Sequence, residues 1–162
     1  MNPKNPKKVD EEGLQLIKYW EQCSLLPYLD SAGIPTIGWG STFYEDGQRV
    51  TLGDPPLTQQ RADALFIRIL SGFERVVFEM VNSLINQHQY NAIVSLCYNI
   101  GIDDFSSSAI LKRVNQSPND FLIHHLFLAF NKAWNPKTHR KEVLKGLTNR
   151  REMESKIYFR KP

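Results

Sequence analysis

Three side chains that can move protons or hold water lie close together in the chain. Glu21, Asp30 and Thr36 fall within the run WEQCSLLPYLDSAGIPTIGWGST at 20–42. Two carboxyls and a hydroxyl suit cleavage of a glycosidic bond. One carboxyl must carry a proton for the departing oxygen, while the other, ionised, activates a water or attacks the sugar. The hydroxyl can hold that water in place. Glu, Asp and Thr are common residues, however, and spacing alone does not set these three apart from ordinary surface groups. The elements that carry them must do so.

Asp10 is placed to cap a first helix, with Glu11 and Glu12 favourable at its positive end. Leu14, Ile17 and Glu21 follow 3,4 spacing and share one face, so Glu21 sits on the inward side of the last turn. Pro27 stops any continuation. SAGIP is turn chemistry. In TIGWGST, strand alternation puts Thr36, Gly38, Gly40 and Thr42 on one side and Ile37 and Trp39 on the other. A strand face with two glycines is bare: it is either packed against backbone or a floor that a ligand approaches closely. Asp46-Gly47 then marks a hairpin turn.

From Thr58 the period changes. Ala62, Leu65, Phe66, Ile69, Leu70, Phe73, Val76, Val77 and Met80 keep helical spacing, which predicts one long amphipathic helix over 58–80. Beyond it the chain reads as helices joined by short turns: one over 87–100, one from near Ser108, one opened by Ser117-Pro118, and a last one after Thr148. The expected class is α+β and mainly helical. A small N-terminal lobe with β-hairpins (1–57) would be joined by a connecting helix (58–80) to a helical C-terminal lobe (81–162), with a cleft between lobes as the natural binding site.

The chain has 162 residues, 41% of them hydrophobic and 23% charged, which is enough for an ordinary core and argues against disorder. No window approaches the roughly 18 uncharged apolar residues of a membrane span, so no integral membrane segment is expected. The polar start MNPKNPKKVDEEG does not read as a secretory signal. Cys23 and Cys97 are too few for a disulfide framework. His88, His124, His125 and His139 lack metal-ligand spacing, so neither metal nor cofactor is expected. Residues 137–161 hold nine lysines and arginines against three acids. That stretch reads first as a solvated face, and secondarily as one that attracts an anionic polymer or lipid.

The run Glu21-x8-Asp30-x5-Thr36 followed by IGWGST closely resembles the catalytic signature of phage-type lysozymes, the endolysins of glycoside hydrolase family 24. YNAIVSLCYNIGIDDFSSSAILKRVN (90–115) is similar to that family's core segment, and KGLTNRREMESKIY (145–158) to its closing Gly-Leu-x-x-Arg-Arg element. The resemblance implies a single lysozyme-like domain and a muramidase acting on peptidoglycan. Glu21 would be the general acid, Asp30 the partner carboxylate, and Thr36 its aid in placing the attacking water, with inversion at the anomeric carbon. Gly40 matches a cleft-floor position, Tyr98 and Ser108 match glycan contacts, and Arg150 matches an arginine that supports the catalytic glutamate. The resemblance further implies a monomer that accumulates in the host cytoplasm and reaches the cell wall through a holin, without a nucleic-acid partner. Three positions depart from the family pattern: Gln22 where glycine is common, Thr42, and Leu128.

Two other readings stay open on the sequence. A lytic transglycosylase would need the acid but not Asp30 and Thr36. A non-catalytic module binding the cell wall or another anionic polymer through its basic tail would need none of the three.

Overall fold

The computed structural model describes residues 5–161. Seven helices and two antiparallel strand pairs are defined among them. By contact the chain divides into two units. One is Ile17–Gly72; the other combines the residues up to Leu16 with those from Phe73 onward. The mainly helical α+β class expected from the sequence is what the chain adopts.

Helix α1 is Glu11–Glu21. Asp10 caps it, its Oδ1 accepting the Gly13 amide at 3.1 Å. Strands β1 (Ser24–Leu29) and β2 (Pro35–Gly38) follow and pair with Tyr28 opposite Thr36. The register slips between Ser24 and Tyr28, around Pro27, which has no amide proton to give a ladder. The Asp46-Gly47 turn forms as expected: Gly47 has φ +84°, and Tyr44 N–H donates to the Gln48 carbonyl at 2.8 Å. In this unit Ile37, Val50 and Leu65 form a buried cluster, with Tyr44, Leu57 and Ile69 against it.

Helix α2, Gln59–Met80, matches the predicted long helix. The middle of its apolar stripe is buried, with Leu65, Phe66, Leu70 and Val77 at most 1% exposed, and Ile69, Phe73, Val76 and Met80 are half-buried. Helix α3 (Gln87–Ile100) opens with a capping box between Asn86 and Gln89 and ends at Gly101, φ +90°. Residues 89–97 are buried without interruption, so α3 is the centre of its unit. Short helices α4 (Ile102–Ser106), α5 (Ala109–Gln116) and α6 (Leu122–Leu128) follow. Strands β3 (Lys132–Asn135) and β4 (Arg140–Val143) form a hairpin, and α7 (Lys145–Tyr158) packs on α3 and α6.

Several local expectations differ. The β2 strand stops at Gly38, so Gly40 and Thr42 do not continue its face. Ser117 ends α5 instead of opening the next helix, and α6 starts at Leu122. The Pro118 carbonyl is held in the turn by Gln89 Nε2 (3.1 Å) and the Tyr158 hydroxyl (2.7 Å). Helix α7 begins at Lys145, ahead of Thr148. The β3–β4 hairpin lies where only helices were expected.

Cys97 is fully buried, which pushes its thiol up to about 12 and leaves it inert at neutral pH. Glu74 is 7% exposed and accepts the Val9 amide at 2.8 Å. Burial raises its carboxyl above the ordinary value, against opposing pulls from the Val9 amide and Lys8. A raised carboxyl contributes stability that is complete below the unfolded value of ~4.3 and is lost as pH rises through the folded value. Glu74→Gln is therefore expected to gain in Tm relative to wild type between pH 4 and pH 8. Parallel melts at the two pH values check this; an unchanged difference would contradict it.

Candidate active site

Glu21 ends α1 and is half-buried. The next residue, Gln22, turns the chain with φ +52°, a left-handed conformation that costs roughly 1–2 kcal/mol outside glycine. Glycine is common there in the family that the sequence resembles, and the geometry gives the reason. Gln22→Gly is expected to hold or raise stability by up to about 1 kcal/mol, because relief of strain outweighs the added freedom of the unfolded chain. Denaturant melts measure this, and a loss would mean that the Gln22 side chain matters more than its backbone.

After Gly38 the chain makes a tight turn, with φ +63° at Gly38 and +84° at Gly40. The turn carries Gly40 against Glu21. A β-carbon added to Gly40 would lie 2.5 Å from Glu21 Oε2 and 3.2 Å from its carboxyl carbon. Gly40 is thus the wall against which the acid rests, not a rung of a flat floor.

The turn is tied down by residues that sequence spacing did not single out. Trp39 Nε1 donates to Asp63 Oδ1 at 2.8 Å, and Lys18 Nζ donates to the same oxygen at 2.9 Å. Lys18 also sits 4.8 Å above the Trp39 ring. Lys18 is one helical turn before Glu21 on α1, and Asp63 is on α2, so this cluster fixes the turn against both helices. The Lys18 contact, aided by Trp39 and Gln59, holds the Asp63 carboxyl below its usual range even though partial burial acts the other way.

Asp30 follows β1. Its Oδ1 accepts the amides of Ala32 (2.8 Å) and Ile34 (2.9 Å), which folds the SAGIP turn around it. Oδ2 has no protein donor among the described residues. Thr36 is 2% exposed, and its hydroxyl donates to the Ile34 carbonyl at 2.9 Å. Its one proton is committed, so towards a water it can only accept. Tyr28 pairs with Thr36, and its phenol is raised first by burial and then by the charges of Glu21 and Asp30. Both carboxyls therefore bear on one phenol. Tyr28 was legible only by its nearness to the motif, lying in β1 two residues before Asp30.

Glu21, Asp30, Thr36 and Gly40 belong to the Ile17–Gly72 unit, and Tyr98, Ser108 and Arg150 to the other. Tyr98 is half-buried, its ring 5.0 Å from that of Phe73. Ser108 caps α5: it accepts the Leu111 amide at 3.2 Å and donates to the Phe105 carbonyl at 2.6 Å. Arg150 is 4% exposed. Its Nε donates to Glu154 Oε1 at 3.1 Å, and Nη2 to the Ser95 carbonyl at 3.4 Å. Among the described residues, no group of three or more His, Cys, Asp or Glu side chains is placed to hold a metal ion. No helix there is long and apolar enough to cross a membrane.

Comparison with known proteins agrees with the resemblance read from the motifs. The model of the family described as phage lysozyme matches residues 18–154. An endolysin of Salmonella phage P22 is 35% identical over 67% of this chain and 73% of its own length. Among solved structures, an endolysin from Escherichia coli O157:H7 phage FAHEc1 superposes with a TM-score of 0.83 at 34% identity, covering 94% of this chain and 93% of the other. The muramidase domain of SpmX from Asticaccaulis excentricus gives 0.78 at 30% identity, covering 95% and 99%. The chain belongs to the phage lysozyme family and is a glycoside hydrolase.

Proposed function

We propose that this enzyme hydrolyses the β-1,4 bond between N-acetylmuramic acid and N-acetylglucosamine in peptidoglycan, and that it lyses a bacterial host in doing so. The observation that supports this most is the placement of Glu21 against Gly40 in the unit where Asp30 and Thr36 flank one turn. Glu21 protonates the glycosidic oxygen as the bond breaks. Asp30 Oδ2 takes one proton of a water, and Thr36 Oγ1 accepts the hydrogen bond of the other. With both protons engaged, the lone pair of the water oxygen is left for the anomeric carbon, on the face opposite the leaving group. Such a displacement inverts configuration.

Gly40, Tyr98 and Ser108 contact glycan in this reading, Ser108 as an acceptor only, since its proton goes to Phe105. The chain acts as a single lysozyme domain and a monomer, held in the host cytoplasm until a holin opens the way to the wall.

Gly40→Ala is expected to lower sacculus hydrolysis by about 10²-fold, the scale on which a misplacement of ~1 Å in a catalytic group acts. Thermal melts run beside the assay separate this from unfolding, and full activity in the variant would remove Gly40 from the site. The reaction itself is tested by mass spectrometry of digested sacculi. Reducing muramic acid ends are expected. Ends in the 1,6-anhydro form would instead identify a transglycosylase, and absence of cleavage a binding module.

A further inference from the structure

The β3–β4 hairpin has two unlike faces. Across the register, Asn135 and Glu142 lie on one side, and Lys132, Trp134, Lys141 and Val143 on the other. The first face holds the hairpin together. Asn135 Nδ2 donates to Glu142 Oε2 at 2.7 Å, and the Thr138 hydroxyl donates to Glu142 Oε1 at 2.6 Å. Those bonds keep the Glu142 carboxyl below its usual range and turned away from the opposite face.

The second face is exposed at all four positions, Trp134 at 57% and Val143 at 58%. Isolated two-stranded hairpins are marginal in water, and this one gains little by leaving a tryptophan in solvent. The ring is nonetheless braced: His139, in a left-handed turn conformation at φ +52°, stands edge-on to it at 6.2 Å. Trp134 lies directly across from Lys141, and Lys132 directly across from Val143. Over 132–145 there are five lysines and arginines and a single acid, Glu142.

We propose that this face is an accessory binding site for the carboxylate-bearing glycan strand, separate from the residues that cut it. This rests on the reading of the enzyme as a peptidoglycan hydrolase. The flat indole offers an apolar plane to the C–H face of a pyranose ring. Lys132 and Lys141 beside it offer charge to the carboxylates of the peptide stems. Charge complementarity selects the occupant: a neutral glycan would use the ring but not the lysines, and the acidic stems use both. Four residues also make a footprint of sugar size. The braced ring pays little entropy on binding.

The test uses full-length protein carrying Glu21→Gln, so that sacculi stay intact, with and without Trp134→Ala or Lys132→Glu/Lys141→Glu. Sedimentation with purified sacculi is expected to show about a tenfold rise in Kd for each change, ~1.4 kcal/mol. The lysine contribution should vanish at high salt and on sacculi stripped of stems by an amidase, while the Trp134 contribution stays. In the otherwise wild-type enzyme, both variants should cleave a short soluble muramyl oligosaccharide at the unaltered rate. Unchanged sacculus affinity in melting-competent variants overturns the proposal. So does a loss seen only on vesicles of phosphatidylethanolamine and phosphatidylglycerol, which would make the face a membrane contact. If the parent protein neither binds nor cleaves sacculi, the functional reading fails along with it; if the parent does both and the variants match it, only the accessory site fails.

Discussion

Glu21→Gln is expected to reduce sacculus hydrolysis by about 10³-fold, within the 10²–10⁴ that a positioned general acid contributes. The amide matches the carboxyl in shape and still fits beside Gly40, whose missing β-carbon would lie 2.5 Å from Glu21 Oε2. What it lacks is a proton that it can release to the leaving oxygen. Binding to sacculi should therefore persist while turnover disappears. Turbidity clearing of permeabilised Gram-negative cells reads the rate, and sedimentation reads the binding. Clearing at the wild-type rate would move lysis to another part of the chain, the basic C-terminal stretch first.

Glu154→Gln is expected to have the largest effect on stability. Glu154 is fully buried, as is Arg151, and Arg150 is 4% exposed. Glu154 Oε1 accepts from the Ser95 hydroxyl at 2.7 Å, from Arg150 Nε at 3.1 Å and from Arg151 Nη2 at 3.2 Å, while Arg151 Nε lies 3.0 Å from Oε2. Arg151 Nη2 also donates to Asn99 Oδ1 at 2.9 Å, which ties α7 to the end of α3. The amide removes a negative charge that both of these buried guanidinium groups contact. Breaking a buried pair from one side costs about 3–5 kcal/mol. For a chain of this length that lowers Tm by roughly 10 °C. A melt within a degree or two of wild type would show that the arginines do not depend on this carboxylate.

Long periodic segments were legible in the sequence because one stripe of side chains decides them. Helix α2 is buried or half-buried at the positions its 3,4 spacing marks, and α3 runs between Asn86 and Gly101 as read. The β3–β4 hairpin was not legible. Its strands bury no apolar face, and its register is held by bonds to Glu142 that polar residue types do not announce. β1 was hidden by Pro27, read only as a helix stop. The Ser117-Pro118 pair matches a helix opening locally, but Gln89 and Tyr158, distant in sequence, hold Pro118 in a turn.

The same division applies to the site. Glu21, Asp30 and Thr36 lie within 16 residues and were visible as a motif. Strand alternation put Gly40 on a flat face; two left-handed glycine conformations instead fold it back onto Glu21. Lys18, Trp39 and Asp63 come from three separate segments, and only the fold brings them together.

In the proposed reaction, Asp30 and Thr36 deliver a water from the side of the sugar opposite the leaving group. Proton NMR of the first product formed from a soluble muramyl oligosaccharide, taken before mutarotation, tests it most directly. The new reducing end should appear as the α-anomer. Initial release of the β-anomer would contradict the account, because it requires a covalent intermediate or a different path for the water.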